Sequence, residues 1–239
     1  MQKIKKKAKA LMQPEDEIKS MAHHASGYYQ VYQKQFNVAI AAVVLVLAVT
    51  LIYSLVRSSN EKKAGQMLSA AYDVYNPGGG APANYPQALQ RFQDIVKQYG
   101  GTVNGAIAQF SIGNTYVQMG QPEAALKEYA AFINKYSNEK FLLGLVYQRI
   151  GYVYLAMGKQ DEALKAFGQA EAITGTGPAT LELARLYERA GKSQEALKRY
   201  KDISDSLPSS AWAREARTKL PPPNLGQAPT SVQPGAAAK

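Results

Sequence analysis

The 239-residue sequence contains no cysteine and only two histidines, the adjacent His23 and His24. Without cysteine, the chain forms no disulfide, thiolate nucleophile, cysteine-ligated zinc site or lipid-bearing cysteine. Beyond residue 24 there is no imidazole, so catalysis would lack its usual proton carrier. Glycine-rich phosphate loops and the HExxH and GxSxG motifs are also missing. These absences predict a protein that is not an enzyme and carries no cofactor or metal.

Strong charge of one sign is lacking as well. The formal charge of +10 is spread along the chain, with +4 in residues 1–37, +5 in residues 57–220 and +1 from Lys239. In the long body, basic residues are scattered among acidic ones at helical spacing, which is typical of a solvated face and not of a phosphate-binding stripe. The sequence therefore predicts no nucleic-acid partner.

One long apolar run is present. Residues 38–56 are nineteen positions without a charge, and twelve of them are Val, Leu or Ile. A helix of this length spans about 30 Å, the thickness of the hydrocarbon core of a bilayer, and its insertion is favoured by about 5 kcal/mol. A helix in a soluble core would be shorter, and a cleaved signal would carry a small-residue cleavage site. The run predicts a retained transmembrane helix.

Basic residues are unequally distributed on the two sides of this run. Seven lysines lie in residues 1–37, whereas the first thirty residues beyond the run hold only Arg57, Lys62 and Lys63. Positively charged flanks stay in the cytoplasm. Residues 1–37 are therefore predicted to be a basic cytoplasmic head, with the body on the opposite side. In a bacterium this is a single-pass inner-membrane protein with its body in the periplasm.

The body contains an internal repeat. Three segments share a small residue, an aromatic three positions later, a glycine after four more, a small residue after five more and a final aromatic after four more. The small residues let two helices approach closely, and the glycine lets the chain turn between them. Each segment is therefore predicted to form a helix hairpin. The shared positions are Gly113, Tyr116, Gly120, Ala125 and Tyr129; Gly151, Tyr154, Gly158, Ala163 and Phe167; and Ala184, Tyr187, Gly191, Ala196 and Tyr200.

These residues resemble the tetratricopeptide repeat, a helix hairpin of about 34 residues. A weaker copy precedes them, with residues 61–75 and 85–99 joined by the long loop NPGGGAPAN. The resemblance implies an all-α fold in which one N-terminal transmembrane helix is followed by a TPR-like solenoid over residues 57–220.

Further predictions concern the end of the solenoid and the unequal spacing of its turn glycines. Residues 209–220 are predicted to form a C-terminal capping helix, with Trp212 laid on the last hairpin. Residues 221–239 are rich in Pro and Ala and are predicted to be a disordered tail. The step between turn glycines is 38 residues from Gly120 but 33 from Gly158, and we expect the extra residues in a longer link at 137–140.

The resemblance also implies a binding surface, because the first helix of each hairpin lines a concave groove in this family. By position, the groove would be apolar at one end and charged at the other, which suits an extended or helical peptide. Periodicity leaves open whether Ile107, Leu145 and Leu155 belong partly to the core. The lysine and asparagine set that clamps a terminal carboxylate in some members is absent, since only Asn114 fits. The candidate partner-binding residues are Ile107, Phe110, Asn114, Val117, Leu145, Gln148, Tyr152, Leu155, Leu181, Arg185, Glu188 and Arg189.

A basic head, one span and an exported repeat domain together resemble the ancillary subunits of the bacterial Sec translocon that carry tetratricopeptide repeats. The resemblance implies a protein-binding role beside the translocon, with exported polypeptides and periplasmic chaperones as partners. The alternative is a structural scaffold or assembly subunit of an envelope complex, such as a secretion, pilus or respiratory machine.

Overall fold

The structure is a computed structural model that describes residues 14–222, with side chains from residue 32 onward. Within that range the chain is helical with no strand, which confirms the predicted all-α fold. The first thirteen residues of the predicted head, and the predicted tail from residue 223, lie outside the described residues. The helices are α1 (Pro14–Tyr75), α2 (Tyr85–Tyr99), α3 (Val103–Gln118), α4 (Pro122–Lys135), α5 (Lys140–Ala156), α6 (Gln160–Thr174), α7 (Pro178–Arg189), α8 (Ser193–Ser206) and α9 (Ala211–Lys219).

The chain divides into two compact units between Ser59 and Asn60. In the first unit, the Val, Leu and Ile side chains of the apolar run are 53–69% exposed, and the helix is long and apolar enough to cross a membrane. The Thr50 hydroxyl donates to the Leu47 carbonyl at 2.9 Å, so this polar group is satisfied within the helix. In the core of a bilayer no water is available, so polar groups must form their hydrogen bonds within the protein. Helical dihedral angles are interrupted at Tyr32, before the run begins.

The second unit consists of four helix hairpins and a final helix. The end of α1 pairs with α2, followed by α3 with α4, α5 with α6 and α7 with α8. The turn glycines Gly120, Gly158 and Gly191 have φ angles of 69°, 75° and 73°. This left-handed conformation, which side chains disfavour, confirms the predicted turns.

The helices of a hairpin meet where a small residue faces an aromatic ring. A Cβ atom added to Gly113 would lie within 2.3 Å of the Tyr129 ring, and one added to Gly151 would lie 2.7 Å from the Phe167 ring. Both rings are fully buried. The predicted pairing of small and aromatic residues is confirmed for these two hairpins.

The first hairpin follows the same pattern with an insertion in its turn. Ala71 is fully buried seven residues before Gly78, as Gly113 lies seven residues before Gly120. Ala88 follows ten residues after the glycine, where the other hairpins have their alanine after five. Ala71, Ala88 and Phe92 nevertheless meet in one buried cluster. The weaker copy is therefore a fourth repeat with five extra residues in its loop.

Two expectations about this unit are wrong. The five-residue difference between the repeat steps lies mainly in a helix, since α5 has 17 residues and α7 has 12, while the links before them have four and three. The capping helix exists as α9, but its buried residues are Ala213 and Ala216 and not Trp212, which is 39% exposed. The small faces of Ala213 and Ala216 are buried against Tyr200 and its neighbours instead, which brings the helix backbones close together.

Candidate functional site

A cleft with a volume of about 400 Å³ opens between α3 and α5, with the end of α1 at one side. Three of the predicted partner-binding residues line it, namely Asn114, Val117 and Tyr152. Tyr75 of α1, Gln118 of α3 and Arg149 of α5 complete its polar and aromatic lining. The cleft is thus built from the first helices of three successive hairpins, where the resemblance placed a groove.

The cleft opens because one position of the repeat carries a short side chain. Tyr72, Asn114 and Tyr152 each follow the small residue of their hairpin. The Tyr72 hydroxyl is hydrogen-bonded to the Ser111 hydroxyl of the next hairpin, with the oxygens 2.6 Å apart. The Tyr152 hydroxyl donates to the Glu182 carboxylate of the hairpin after it, at 3.3 Å. These two contacts bridge the outer interfaces between hairpins.

At the middle interface, the residue equivalent to Ser111 and Glu182 is Arg149. Across this interface, the position of Tyr72 and Tyr152 is taken by Asn114, whose side chain is too short to form the same bridge. The described part of the chain contains no hydrogen bond between these two side chains. The cleft occupies the space that a tyrosine fills at the neighbouring interfaces.

In each of the first three hairpins, an aromatic residue of the second helix contacts the side chain at this position. The Tyr72 ring packs edge-on against Phe92 at a centroid distance of 5.3 Å, and Tyr152 against Phe167 at 5.1 Å. Behind Asn114 stands Tyr129, whose buried hydroxyl donates to the Asn114 Oδ1 atom at 2.8 Å. Since the Asn114 carbonyl is used in this way, its amide NH₂ group remains free to donate into the cleft.

Tyr75 forms a fixed aromatic wall. Its ring packs against Tyr72, Tyr85 and Phe92 at centroid distances of 6.0, 5.5 and 6.0 Å, with interplanar angles of 65–90°. Burial raises the pKa of the Tyr75 hydroxyl, and the nearby positive charge of Arg149 acts in the opposite direction. At neutral pH the group is therefore an uncharged hydroxyl, which donates and accepts hydrogen bonds.

Of the described residues that line the cleft, only Arg149 is charged. Among residues 32–222, whose side chains the structure describes, no carboxylate lies within ion-pair distance of its guanidinium group. The positive charge lowers the pKa of the Tyr129 hydroxyl, against the larger rise that burial causes. The guanidinium thus stands beside the tyrosines of the cleft with its donors unpaired.

The remaining predicted residues divide into three groups. Ile107, Phe110 and Leu155 are half-buried and pack against the core clusters, so they contribute to the core in part. Leu145 and Gln148 are also half-buried. Leu181 is a correction to the predicted set, because it is only 4% exposed and lies inside the core shared by α7, α8 and α9.

The predicted charged end of the groove is occupied by the chain itself. Arg185 donates to both carboxylate oxygens of Glu215 on α9, at 2.6 and 2.7 Å, and to Glu182 at 2.6 Å. Glu188 accepts hydrogen bonds from the Tyr200 hydroxyl at 2.8 Å and from Lys219 at 2.9 Å. These contacts lower the pKa of the Glu188 carboxyl. Arg185 and Glu188 hold the capping helix, whereas Arg189 is exposed.

The sequence reasoning missed Tyr75 and Arg149. Arg149 directly follows the proposed Gln148 on α5, whereas the proposed set contained no residue of α1. A signal was present in the repeat alignment, since Asn114 stands where two other copies have tyrosine. A second signal is that α3 carries no charged residue, and α5 carries only Lys140 and Arg149.

The solenoid resembles several solved structures. A tetratricopeptide repeat protein from Parabacteroides merdae superimposes with a TM-score of 0.53 at 14% sequence identity, covering 66% of this chain and 59% of that one. The TPR-like repeats of a putative kinesin light chain from Podosopora anserina give a TM-score of 0.50 at 17% identity, covering 66% and 83%. At these identities the likeness concerns the fold alone.

Sequence comparison gives one curated relative and a family assignment. DnaJ homolog subfamily C member 3 of Gallus gallus is 30% identical over 127 residues, which are 52% of this chain. The matched region is only 24% of the length of that relative. The family model of the tetratricopeptide repeat-like domain matches residues 26–220, most of the 239-residue chain. With its stacked hairpins and their repeated small and aromatic residues, this chain belongs to the tetratricopeptide repeat-like family.

Proposed function

We propose that this chain is a membrane-anchored module that binds segments of other polypeptides in the cleft between α3 and α5. Tetratricopeptide repeat proteins generally act as non-enzymatic scaffolds for protein–protein interactions. The observation that carries the proposal is the cleft itself, where unpaired donors of Asn114 and Arg149 stand between tyrosine rings. Backbone carbonyls and polar side chains of a bound segment would satisfy these donors, while its apolar groups pack on the rings.

The proposed location is the bacterial inner membrane, with the N-terminus in the cytoplasm and the solenoid in the periplasm. The exposed apolar side chains of residues 38–56 support the anchor, because a stretch of that length and composition is stable in lipid. The seven lysines before the run, against three basic residues in the thirty after it, support the orientation.

The proposed partners are exported polypeptides and periplasmic chaperones beside the Sec translocon. An anchored solenoid stays close to the membrane at which such polypeptides emerge. A cleft with few charges and several hydrogen-bond donors suits extended or helical segments of varied sequence. The α3–α5 cleft would therefore hold transient clients.

Photocrosslinking in intact bacteria tests this function. A photoreactive residue placed at Tyr152, inside the cleft, is expected to capture many exported polypeptides together with translocon subunits or chaperones. The same residue at Lys198, which is exposed on α8, is the matched control and is expected to capture few of them. Mass spectrometry of the adducts identifies the partners.

Two outcomes would count against the proposal. Capture of one stoichiometric envelope complex from position 152 would favour the scaffold alternative.

The orientation is checked in the same strains with a cysteine introduced at Ser209, which would be unique in this cysteine-free chain. A membrane-impermeant maleimide added from the periplasmic side should label it, and protection at this position would overturn the proposed location.

A further inference from the structure

We propose that the cleft selects an acidic side chain, Asp or Glu, of the bound polypeptide and that Arg149 forms an ion pair with it. This inference rests on the proposed function, because it names the chemistry that the cleft recognises in a client. It starts from a charge that the fold leaves without a partner, whereas Arg185 on the equivalent inner helix α7 pairs with Glu182 and Glu215.

The electrostatic surroundings of the cleft favour an anion. The helix α3 has no charged residue, and α5 has two positive residues and no negative one. On the following hairpin, the Glu182 carboxylate already accepts from Tyr152 and pairs with Arg185 at 2.6 Å. None of the lining residues in the described part of the chain carries a negative charge that would compensate Arg149. An incoming carboxylate would meet an unopposed guanidinium group.

The other polar groups of the cleft are suited to the same ligand. The Asn114 amide NH₂ and the Tyr75 hydroxyl can both donate to an oxygen placed near the guanidinium. A carboxylate accepts several such bonds and also pairs with the positive charge of Arg149, which a neutral carboxamide does not do. Val117 and Ala156 provide the apolar surface on which the methylene stem of the side chain can rest.

The chain contains a precedent for this contact. Between the last hairpin and α9, Arg185 occupies the repeat position of Asn114 and Tyr152, and Glu215 of α9 binds it through both oxygens. A glutamate on a helical segment thus satisfies an arginine of an inner helix in this solenoid. At the middle interface no segment of the described chain supplies the equivalent carboxylate.

We assign the carboxylate to a side chain and not to a carboxyl terminus. The proposed client is a polypeptide in transit, and its carboxyl terminus is the last part to emerge. A side-chain carboxylate is available at any stage of export.

The test uses the full-length chain in lipid nanodiscs and an array of twelve-residue peptides of varied sequence. Each peptide is made with either Glu or Gln at its centre, and each version with a free or an amidated carboxyl terminus. For the wild type we expect the Glu versions of binding peptides to bind about fivefold more tightly, amidated or not, because Arg149 is exposed and an ion pair with an exposed arginine is worth up to about 1 kcal/mol.

Variants separate this inference from the proposed function. Arg149→Ala should bind Glu and Gln versions equally, at the affinity of the wild type for the Gln version. Arg214→Ala, which removes an exposed arginine of α9 outside the cleft, should keep the preference. Equal binding of both versions by the wild type would overturn the inference and leave the proposed function standing. A preference that amidation abolishes would overturn the side-chain assignment, and failure of every peptide to bind would overturn the proposed function itself.

Discussion

Phe167→Ala is expected to lower the free energy of unfolding of the solenoid by about 3–5 kcal/mol. The Phe167 ring is fully buried, fills the space left by Gly151 and supports the ring of Tyr152 at 5.1 Å. Its removal leaves a cavity between α5 and α6 that the neighbouring backbones cannot close. Because domains of this size are stable by about 5–15 kcal/mol, such a loss is a large fraction of the total. Urea denaturation of the full-length chain in detergent, followed by circular dichroism, measures it.

The matched control is Phe141→Ala. Phe141 belongs to the same hairpin but is 73% exposed, so its truncation should change the free energy of unfolding by less than about 0.5 kcal/mol. Equal stability of the two variants would contradict the role assigned to the buried ring.

A double-mutant cycle tests the cause more closely. Gly151→Ala alone should destabilise the chain by about 1–3 kcal/mol, because the added methyl would stand 2.7 Å from the Phe167 ring. In a Phe167→Leu background the ring is gone, and most of the cost of the methyl should disappear. Additive effects in this cycle would rule out close packing between these two positions.

The double substitution Asn114→Tyr with Tyr129→Phe is expected to close the cleft and to weaken peptide binding by about thirtyfold or more, equivalent to the loss of about 2 kcal/mol. It copies the arrangement of the neighbouring interfaces, where Tyr72 packs on Phe92 and Tyr152 on Phe167. The new tyrosine would extend toward Arg149 and fill the space that the ligand needs. Fluorescence anisotropy with a labelled Glu-containing peptide from the array measures the affinity.

The two substitutions must be made together. Asn114→Tyr alone would leave the buried Tyr129 hydroxyl without its acceptor, at a cost of about 1–3 kcal/mol in stability. In the double variant that hydroxyl is absent, so folding should be preserved. Tyr129→Phe alone is the control; it leaves the cleft open and should weaken peptide binding much less than the double variant does. Wild-type affinity in the double variant would show that the ligand lies elsewhere.

The sequence was sufficient for the repeat because the repeat depends on local steric rules. A small residue facing an aromatic ring and a glycine at the end of a helix impose the same geometry in every copy, so Gly151, Phe167 and Gly158 could be assigned from spacing alone. The apolar run could be recognised from the sequence in the same way, since length and composition determine whether a helix can span a bilayer.

The cleft was harder to predict from the sequence because it depends on side chains from three separate helices. Helical periodicity distinguishes an inward from an outward face, but it does not separate a core residue such as Leu181 from a groove residue such as Asn114. Tyr75 and Arg149 enter the cleft through the stacking of hairpins that are distant in sequence. The charged end was misread for the same reason, since α9 covers Arg185 with a carboxylate that the repeat pattern does not include.

Hydrogen–deuterium exchange on the full-length chain in nanodiscs, with and without a saturating Glu-containing peptide, tests the central claim most directly. We expect amide exchange to slow in residues 114–118 and 149–156, which border the cleft, and to remain unchanged in α8. Protection confined to α8 and α9, or none along α3 and α5 at saturation, would contradict the assignment of the α3–α5 cleft as the place where this chain holds its partners.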